Sequence, residues 1–190
     1  MIIASGQAVT YPWLALGLVW VVTALTAKKT AYREAWSSRL FHILFMAGVF
    51  VLLFRPDARV GALRIRVLPP SPEMLDLGLV LSAVGAGFAI WARLTLGGNW
   101  SGSVTVKENH ELVLRGPYRF VRHPIYSGFL LAALGTALVF GELGCFVAVV
   151  LAFVGLWLKA RIEEQFMTNT FGDNYRQYQR SVKQMIPFVL

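Results

Sequence analysis

Charge is scarce in this chain, and acid is scarcer than base. Its 190 residues hold 10 Asp and Glu against 18 Lys and Arg, and charged residues make up 15% of the total. Soluble domains carry roughly 25%. A chain that is 56% hydrophobic, with a mean hydropathy of +0.58, therefore falls in the membrane class. Cysteine occurs once, at Cys145, which excludes an intrachain disulfide. In its apolar run that residue reads as small packing material. Also missing are a P-loop, an HExxH helix and a CxxC pair. The three histidines, His42, His110 and His123, are scattered, so no metal site is expected. Gly85 and Gly87 of "VGAGF" lack the preceding strand and the third glycine of a nucleotide fingerprint. In an apolar helix such residues mark close helix packing.

Five apolar segments are present. They are Tyr11–Ala27, Leu40–Phe54, Leu77–Leu96, Pro124–Gly141 and Leu143–Leu158, the last continuing as a polar helix to about Thr170. A span needs about 20 residues. Arg39, Arg93 and Lys159 can snorkel and lengthen the shorter cores. No basic region precedes the first segment, which reads as a retained span. Ser71, Pro72 and Glu73 form a helix-start signal ahead of the third. The expected fold is all-α and multi-pass, with about five transmembrane helices, a cytosolic loop and a C-terminal helical tail.

With the N-terminus outside, fourteen of the 18 basic residues face the cytosol; Arg55, Arg59, Arg64 and Arg66 are the exceptions. This bias sets N-outside, C-inside. The net charge of +8 flanks apolar runs, so its partner is membrane lipid and not nucleic acid. The basic stretch 55–70 is expected to lie on the interface as an amphipathic segment. The "GEL" turn at 141–143 makes the last two spans an antiparallel hairpin. The 93–123 loop and the tail then share one face.

Two constellations on that face can carry chemistry. In the loop, Gly97, Gly98, Gly102 and Gly116 punctuate the chain and "SVTV" reads as a short strand. Pro117 and Pro124 exclude a continuous helix. Pro124 suits a first helical turn and leaves His123 at the N-cap, where free N–H groups favour an anion. Arg115 and Arg119 read as a basic lipid-facing loop. In the tail, Glu163 and Glu164 follow the last span directly. They point about 100° apart, so one can receive an ammonium group while the other pairs with a loop arginine.

These stretches, "LGGNWS", "ELVLRGPYRFVRHPIYSG", "RIEE", "FGDNYRQY" and "IPF", resemble the isoprenylcysteine carboxyl methyltransferases and their phospholipid methyltransferase relatives. The resemblance covers about the C-terminal half; residues 1–75 share only the hydropathy pattern. It implies one integral membrane methyltransferase domain over 1–190, with N-terminal spans to residue 75 and a catalytic core over 76–190. It implies S-adenosyl-L-methionine as cofactor, leaving as S-adenosyl-L-homocysteine, under the loop and tail at the cytosolic ends of the last two spans. His123 and Tyr126 would line it, next to Pro124. Leu112, Val113, Gly116 and Tyr118 would hold the adenosine part, and Glu163 or Glu164 the amino-acid end. Arg122 and His123 can supply donors to the cofactor carboxylate, and Glu164 a partner for its ammonium.

The acceptor is expected to be lipophilic, either a small molecule or a lipidated substrate. A carboxylate, with a pKa of about 3.5, is already ionised at neutral pH, whereas an amine with a pKa of about 10 needs a base. Arg161 suffices to position a carboxylate, which favours carboxyl O-methylation of an isoprenylcysteine-like substrate, with Arg161, Glu164 and His123 as catalytic residues. The alternatives are phospholipid (ethanolamine) N-methylation and an NADPH-dependent sterol-reductase-like enzyme, which shares an "RHP" motif. The membrane is the inner cell membrane in a prokaryote and the endoplasmic reticulum in a eukaryote. No particular oligomeric state is implied.

Overall fold

The computed structural model describes residues 6–24, 30–33, 36–97, 105–107 and 112–187. Among the described residues six α-helices follow one another: α1 (Thr10–Ala24), α2 (Trp36–Phe54), α3 (Pro72–Leu96), α4 (Pro124–Phe140), α5 (Leu143–Phe171) and α6 (Asp173–Ser181). Two short strands, β1 (Thr30–Arg33) and β2 (Thr105–Lys107), pair antiparallel and tie the α1–α2 connection to the loop after α3. Of the expected "SVTV" strand, residues 103 and 104 lie outside the described residues, as do Gly98, Gly102 and His110. Among the described residues the other regular elements are helical, as the five apolar segments imply.

The helix ends follow local chemistry. Ser71 Oγ accepts from the Met74 N–H at 3.2 Å, and Pro72 opens α3. Pro124 opens α4, and Gly141, with φ at 66°, closes it. That left-handed conformation favours glycine and lets α5 start after Glu142 alone. Gly172 makes the corresponding turn into α6.

Helices α3 and α4 approach backbone to backbone. A Cβ on Gly85 would lie 2.4 Å from the Ala132 nitrogen, and one on Gly135 would lie 2.4 Å from the Ser82 nitrogen. Gly87 meets nothing within 4 Å, so only the first glycine of "VGAGF" serves packing. Helix α1 rests on α3, and α2 on α5. Val49, Leu53, Ala133, Ala137, Cys145, Ala148 and Ala152 form the main core, where Cys145 packs as expected.

Among the described residues, three helices are long and apolar enough to cross a membrane: Gly6–Ala24, Pro72–Leu96 and Leu143–Phe171. Leu40–Phe54 and Pro124–Phe140 are shorter apolar helices beside them. In α5 the apolar run ends at Leu158, and the turns carrying Glu163 and Glu164 project beyond it.

Two expectations about arginines are corrected. Arg93 does not snorkel: it is fully buried and donates to the carbonyls of Gly97 at 2.9 Å and Thr23 at 2.7 Å. There it satisfies carbonyls at the ends of α3 and α1 that no helix partner reaches. In the segment 55–70 the correction concerns Arg59 alone. The segment folds under the α4–α5 turn, bonding the Gly141 carbonyl through Val67 and Leu68. Arg59 is fully buried, with Nε 3.2 Å from Glu142, its guanidinium over the Phe140 ring and a contact to Cys145 Sγ. Pairing with Glu142 outweighs interfacial exposure for this one residue, while Arg55, Arg64 and Arg66 stay exposed.

Gly85→Ala and Gly87→Ala are expected to act with opposite signs. The first overpacks two backbones and costs about 1–3 kcal/mol. The second gains up to about 1 kcal/mol of helix propensity. Denaturation of the purified protein in detergent reads both, and equal signs would contradict the seam. Glu142→Ala strands Arg59 and is expected to cost about 3–5 kcal/mol. An Arg59→Met/Glu142→Ala double variant should recover most of that loss by the same measurement.

Candidate active site

The polar ends of α4 and α5 meet because their connection is a single turn. Residue placement on the two helices then decides which polar groups touch. His123 is the N-cap of α4, yet its side chain makes no cap bond. The ring is freed for α5 and lies between the two glutamates. Nδ1 is 3.5 Å from Glu163 Oε2, and Nε2 is 3.2 Å from Glu164 Oε1. Arg122 Nε donates to Glu164 Oε1 at 2.7 Å. Tyr126, one turn into α4, stacks on His123 at 5.4 Å and donates its hydroxyl to Glu163 at 2.6 Å. Lys159 stands 4.0 Å from Glu163.

The tail is pinned onto this cluster. Arg122 Nη1 donates to the Gln179 carbonyl at 3.2 Å and to that of Val182. The Arg122 and His123 amides donate to the carbonyls of Lys183 and Gln184 at 2.8 and 2.9 Å, and Ser127 Oγ donates to the Met185 carbonyl. Gln179 of α6 reaches back and donates to Glu164 Oε2 at 3.0 Å. Glu164 thus receives Arg122 and His123 on one oxygen and Gln179 on the other.

Burial and charge oppose each other here. Burial disfavours the imidazolium, but hydrogen bonds to Glu163 and Glu164, and their charges, outweigh it and raise the His123 pKa. Burial alone would push the carboxyls up; the His123 and Arg122 hydrogen bonds outweigh it and bring Glu164 down to about 2. Glu163 is lowered against burial by His123, Lys159 and Tyr126. Each shift favours the charged form, and the geometry lets an imidazolium donate to both carboxylates.

Beside it opens a cleft of about 440 Å³ between α5 and α6, lined by Arg161, Glu164, Gln165, Thr168, Asn169 and Gln179. Arg161 lies over the Trp157 ring at 4.3 Å and has no acidic partner among the described residues. The cleft thus has one cation free of carboxylates and one acid already engaged by three donors. No group of three His, Cys, Asp or Glu that could hold a metal occurs among the described residues.

The structure brings together Arg122, His123, Tyr126, Glu163 and Glu164, and puts Arg161 on the adjoining cleft. Pro124 is buried under the cluster. Leu112 and Val113 are half-buried on the way to the Gly116–Arg119 turn, where Gly116 sits close to Thr95. Tyr118 is buried, its hydroxyl directed at the Ala92 carbonyl and its own carbonyl receiving the Tyr178 hydroxyl. It packs between α3 and α6, away from the cleft's lining. Sequence reasoning missed Gln179, Ser127 and the contact of Lys159 with Glu163. The spacing of four between Lys159 and Glu163 was a readable signal; nothing local marks Gln179 or Ser127.

The phospholipid methyltransferase family model matches residues 74–174. Among curated relatives, a protein-S-isoprenylcysteine O-methyltransferase of Schizosaccharomyces pombe is 40% identical over 104 residues, covering 52% of this chain and 43% of that protein. Methanethiol S-methyltransferase 1 of Bradyrhizobium diazoefficiens is 41% identical over 73 residues, covering 37% of this chain and 24% of that protein. A solved structure of a eukaryotic intramembrane Ras methyltransferase, the isoprenylcysteine carboxyl methyltransferase, superposes with a TM-score of 0.59 at 24% identity, covering 78% of this chain and 52% of that one. The shared fold is that of an integral membrane protein. The chain spans less than two thirds of the length of these relatives. With the match extending over more than half of its 190 residues, the chain belongs to the phospholipid methyltransferase family.

Proposed function

We propose that the chain is a membrane methyltransferase. It takes its methyl group from S-adenosylmethionine at the cytosolic ends of α4 and α5 and passes it to a lipophilic carboxylate, an isoprenylcysteine-like acceptor. The observation that supports this reading most is the cluster of Glu163, His123, Glu164 and Arg122 beside a cleft whose exposed cation is Arg161. On this reading residues 1–75 are supporting spans, 76–190 the catalytic core, and the N-terminus faces away from the cytosol.

The donor set fits the cofactor. An amino acid end needs an acid for its ammonium and donors for its carboxylate, and the cluster holds two acids, a guanidinium and an imidazolium in contact. When bound, S-adenosylmethionine supplies an electrophilic methyl group on a sulfonium. Glu163 and Glu164 would hold the ammonium, and Arg122 and His123 would face the carboxylate, each exchanging a contact of the ligand-free cluster for one to the cofactor. Leu112, Val113, Gly116 and Tyr118 belong to the segment proposed to flank the adenosine, with Pro124 shaping its edge. Arg161, stiffened on Trp157, aligns the acceptor oxygen. No proton needs to move, because the acceptor is ionised and both products are neutral. A site that excludes water favours such a loss of charge, and the half-buried cluster sits where α4 and α5 leave the apolar bundle. An amine acceptor would instead need a base to take its proton.

S-Adenosylhomocysteine is expected to raise the thermal midpoint of the purified protein, with NADPH inert. His123→Ala and Glu164→Ala should each weaken that binding at least tenfold by calorimetry. Stabilisation by NADPH alone would point to the reductase instead. The ligand-free cluster has its own pH signature. The His123 contribution is full below its ordinary pKa of 6.5 and is lost as pH rises through the raised value. The glutamate contribution is full above 4.5 and is lost as pH falls toward about 2. The thermal midpoint should therefore fall from pH 6.5 upward, and His123→Gln should flatten that limb. A limb that survives the substitution unchanged would remove His123 as its source.

A further inference from the structure

The turn just before Arg122 and His123 has a second face. From Leu112 to Arg122 the chain holds no Asp or Glu. Pro117, Tyr118 and Val121 are buried, whereas Leu114, Arg115, Arg119 and Phe120 stand exposed. The buried side is tied to the tail. The Tyr118 carbonyl accepts the Tyr178 hydroxyl, and the Arg122 amide donates to the Lys183 carbonyl at 2.8 Å. The outer side is mixed, two large apolar residues next to two cations. Neither cation has an acidic partner among the described residues.

Phe120 adjoins a membrane-spanning helix. Its ring centroid lies 6.5 Å from that of Trp91 on α3, and Trp91 meets Phe88 edge-on at 6.1 Å. The exposed large apolar residues of α3 are Leu77, Val80, Val84, Trp91 and Leu94. At 100° per residue they fall in one stripe, on a helix long and apolar enough to cross a membrane. That stripe is the lipid face of α3, and Phe120 continues it. Trp91 lies five residues before Leu96, about 7.5 Å below the helix end. Interfacial segments bury their apolar side about 5–10 Å into the boundary between headgroups and acyl chains. Phe120 therefore stands at the depth of an interfacial anchor, with Arg119 next to it in the chain.

We propose that the turn from Leu114 to Phe120 is an anchor for anionic phospholipid. Phe120 and Leu114 enter the acyl boundary, and Arg115 and Arg119 hold headgroup phosphates. The occupant is a lipid because Phe120 extends the lipid face of a span, which a water-soluble acidic partner would not reach. Guanidinium groups suit phosphate oxygens, and each basic residue near an anionic surface strengthens attachment by about fivefold. The anchor acts on the cluster through the backbone. Only Val121 separates Phe120 from Arg122, and Val121 itself pairs with Lys183 of the tail. Lipid on one side and the tail on the other thus hold the short segment that brings Arg122 and His123 to Glu164. Lipid binding here needs neither cofactor nor acceptor.

The whole protein in a zwitterionic detergent is titrated with phosphatidylglycerol or phosphatidylcholine of the same acyl chains, without cofactor. The thermal midpoint gives an apparent Kd, and hydrogen exchange of the Arg122 and His123 amides reports on the segment behind the anchor. Wild type should bind phosphatidylglycerol at least tenfold more tightly than phosphatidylcholine, and that binding should slow exchange at both amides. Arg115→Gln/Arg119→Gln should bring the ratio below threefold. Arg176→Gln/Arg180→Gln, which removes the same charge from α6, should leave it above tenfold. Phe120→Ser should weaken both lipids at least threefold and keep the ratio. Equal binding of the two lipids by wild type, or a preference that survives the loss of Arg115 and Arg119, overturns the anchor. An equal loss in the α6 variant overturns it too, by reducing the effect to net charge. So does an equal response to glycerol phosphate, which would make the ligand a free anion. Exchange that stays unchanged at saturating phosphatidylglycerol overturns the coupling to Arg122 and His123.

Discussion

Two adjacent ionised acids at the rim of a membrane helix demand partners, because a buried carboxylate without donors is far costlier than one in water. Glu163 and Glu164 set that demand, and the surrounding structure answers it. The loop before α4 has to bring Arg122 and His123 to them. Arg122 then has donors to spare, and these take carbonyls of the tail. The tail is therefore ordered by the same charge that orders the loop. His123 is the hinge of the arrangement, since a ring with a carboxylate on each nitrogen is satisfied only when protonated.

The bundle repeats this device at its far end with a different result. Arg59 is buried against Glu142 under the α4–α5 turn, so each end of the hairpin holds an arginine–glutamate pair. At the Arg59 end the loop closes over the pair and the arginine is sealed. At the Glu164 end the pair borders an open cleft and a second arginine. Access separates a structural ion pair from a candidate site. Between the ends, the glycine seam of α3 and α4 sets the hairpin's position, because backbone contact leaves no slack for side chains to absorb.

Local signals were legible. Ser71 and Pro72 start α3, Pro124 starts α4, and Gly141 turns the chain, each where its backbone preference places it. The basic bias put the loop and tail on one face, so the meeting of His123 with Glu163 and Glu164 could be read before the fold was known. Arg93 and Arg59 were misread because an arginine at a helix end looks the same in sequence whether it reaches water or a buried carbonyl. Gln179 was invisible for a related reason: an amide on a polar helix gains meaning only from the acid it happens to face. In "VGAGF" the pattern promised packing for both glycines, and the helix phase gave it to one.

The sequence by itself determined the membrane class, the helices and the family, since apolar run length, caps and a contiguous motif are all properties of neighbouring residues. Tertiary structure alone decided which oxygen of Glu164 each donor takes, that Arg59 is sealed and Arg161 is not, and that the Trp13 indole bonds Thr136. Those outcomes depend on helix phase and on contacts between residues more than a hundred positions apart, such as Trp13 and Thr136. No local pattern encodes them.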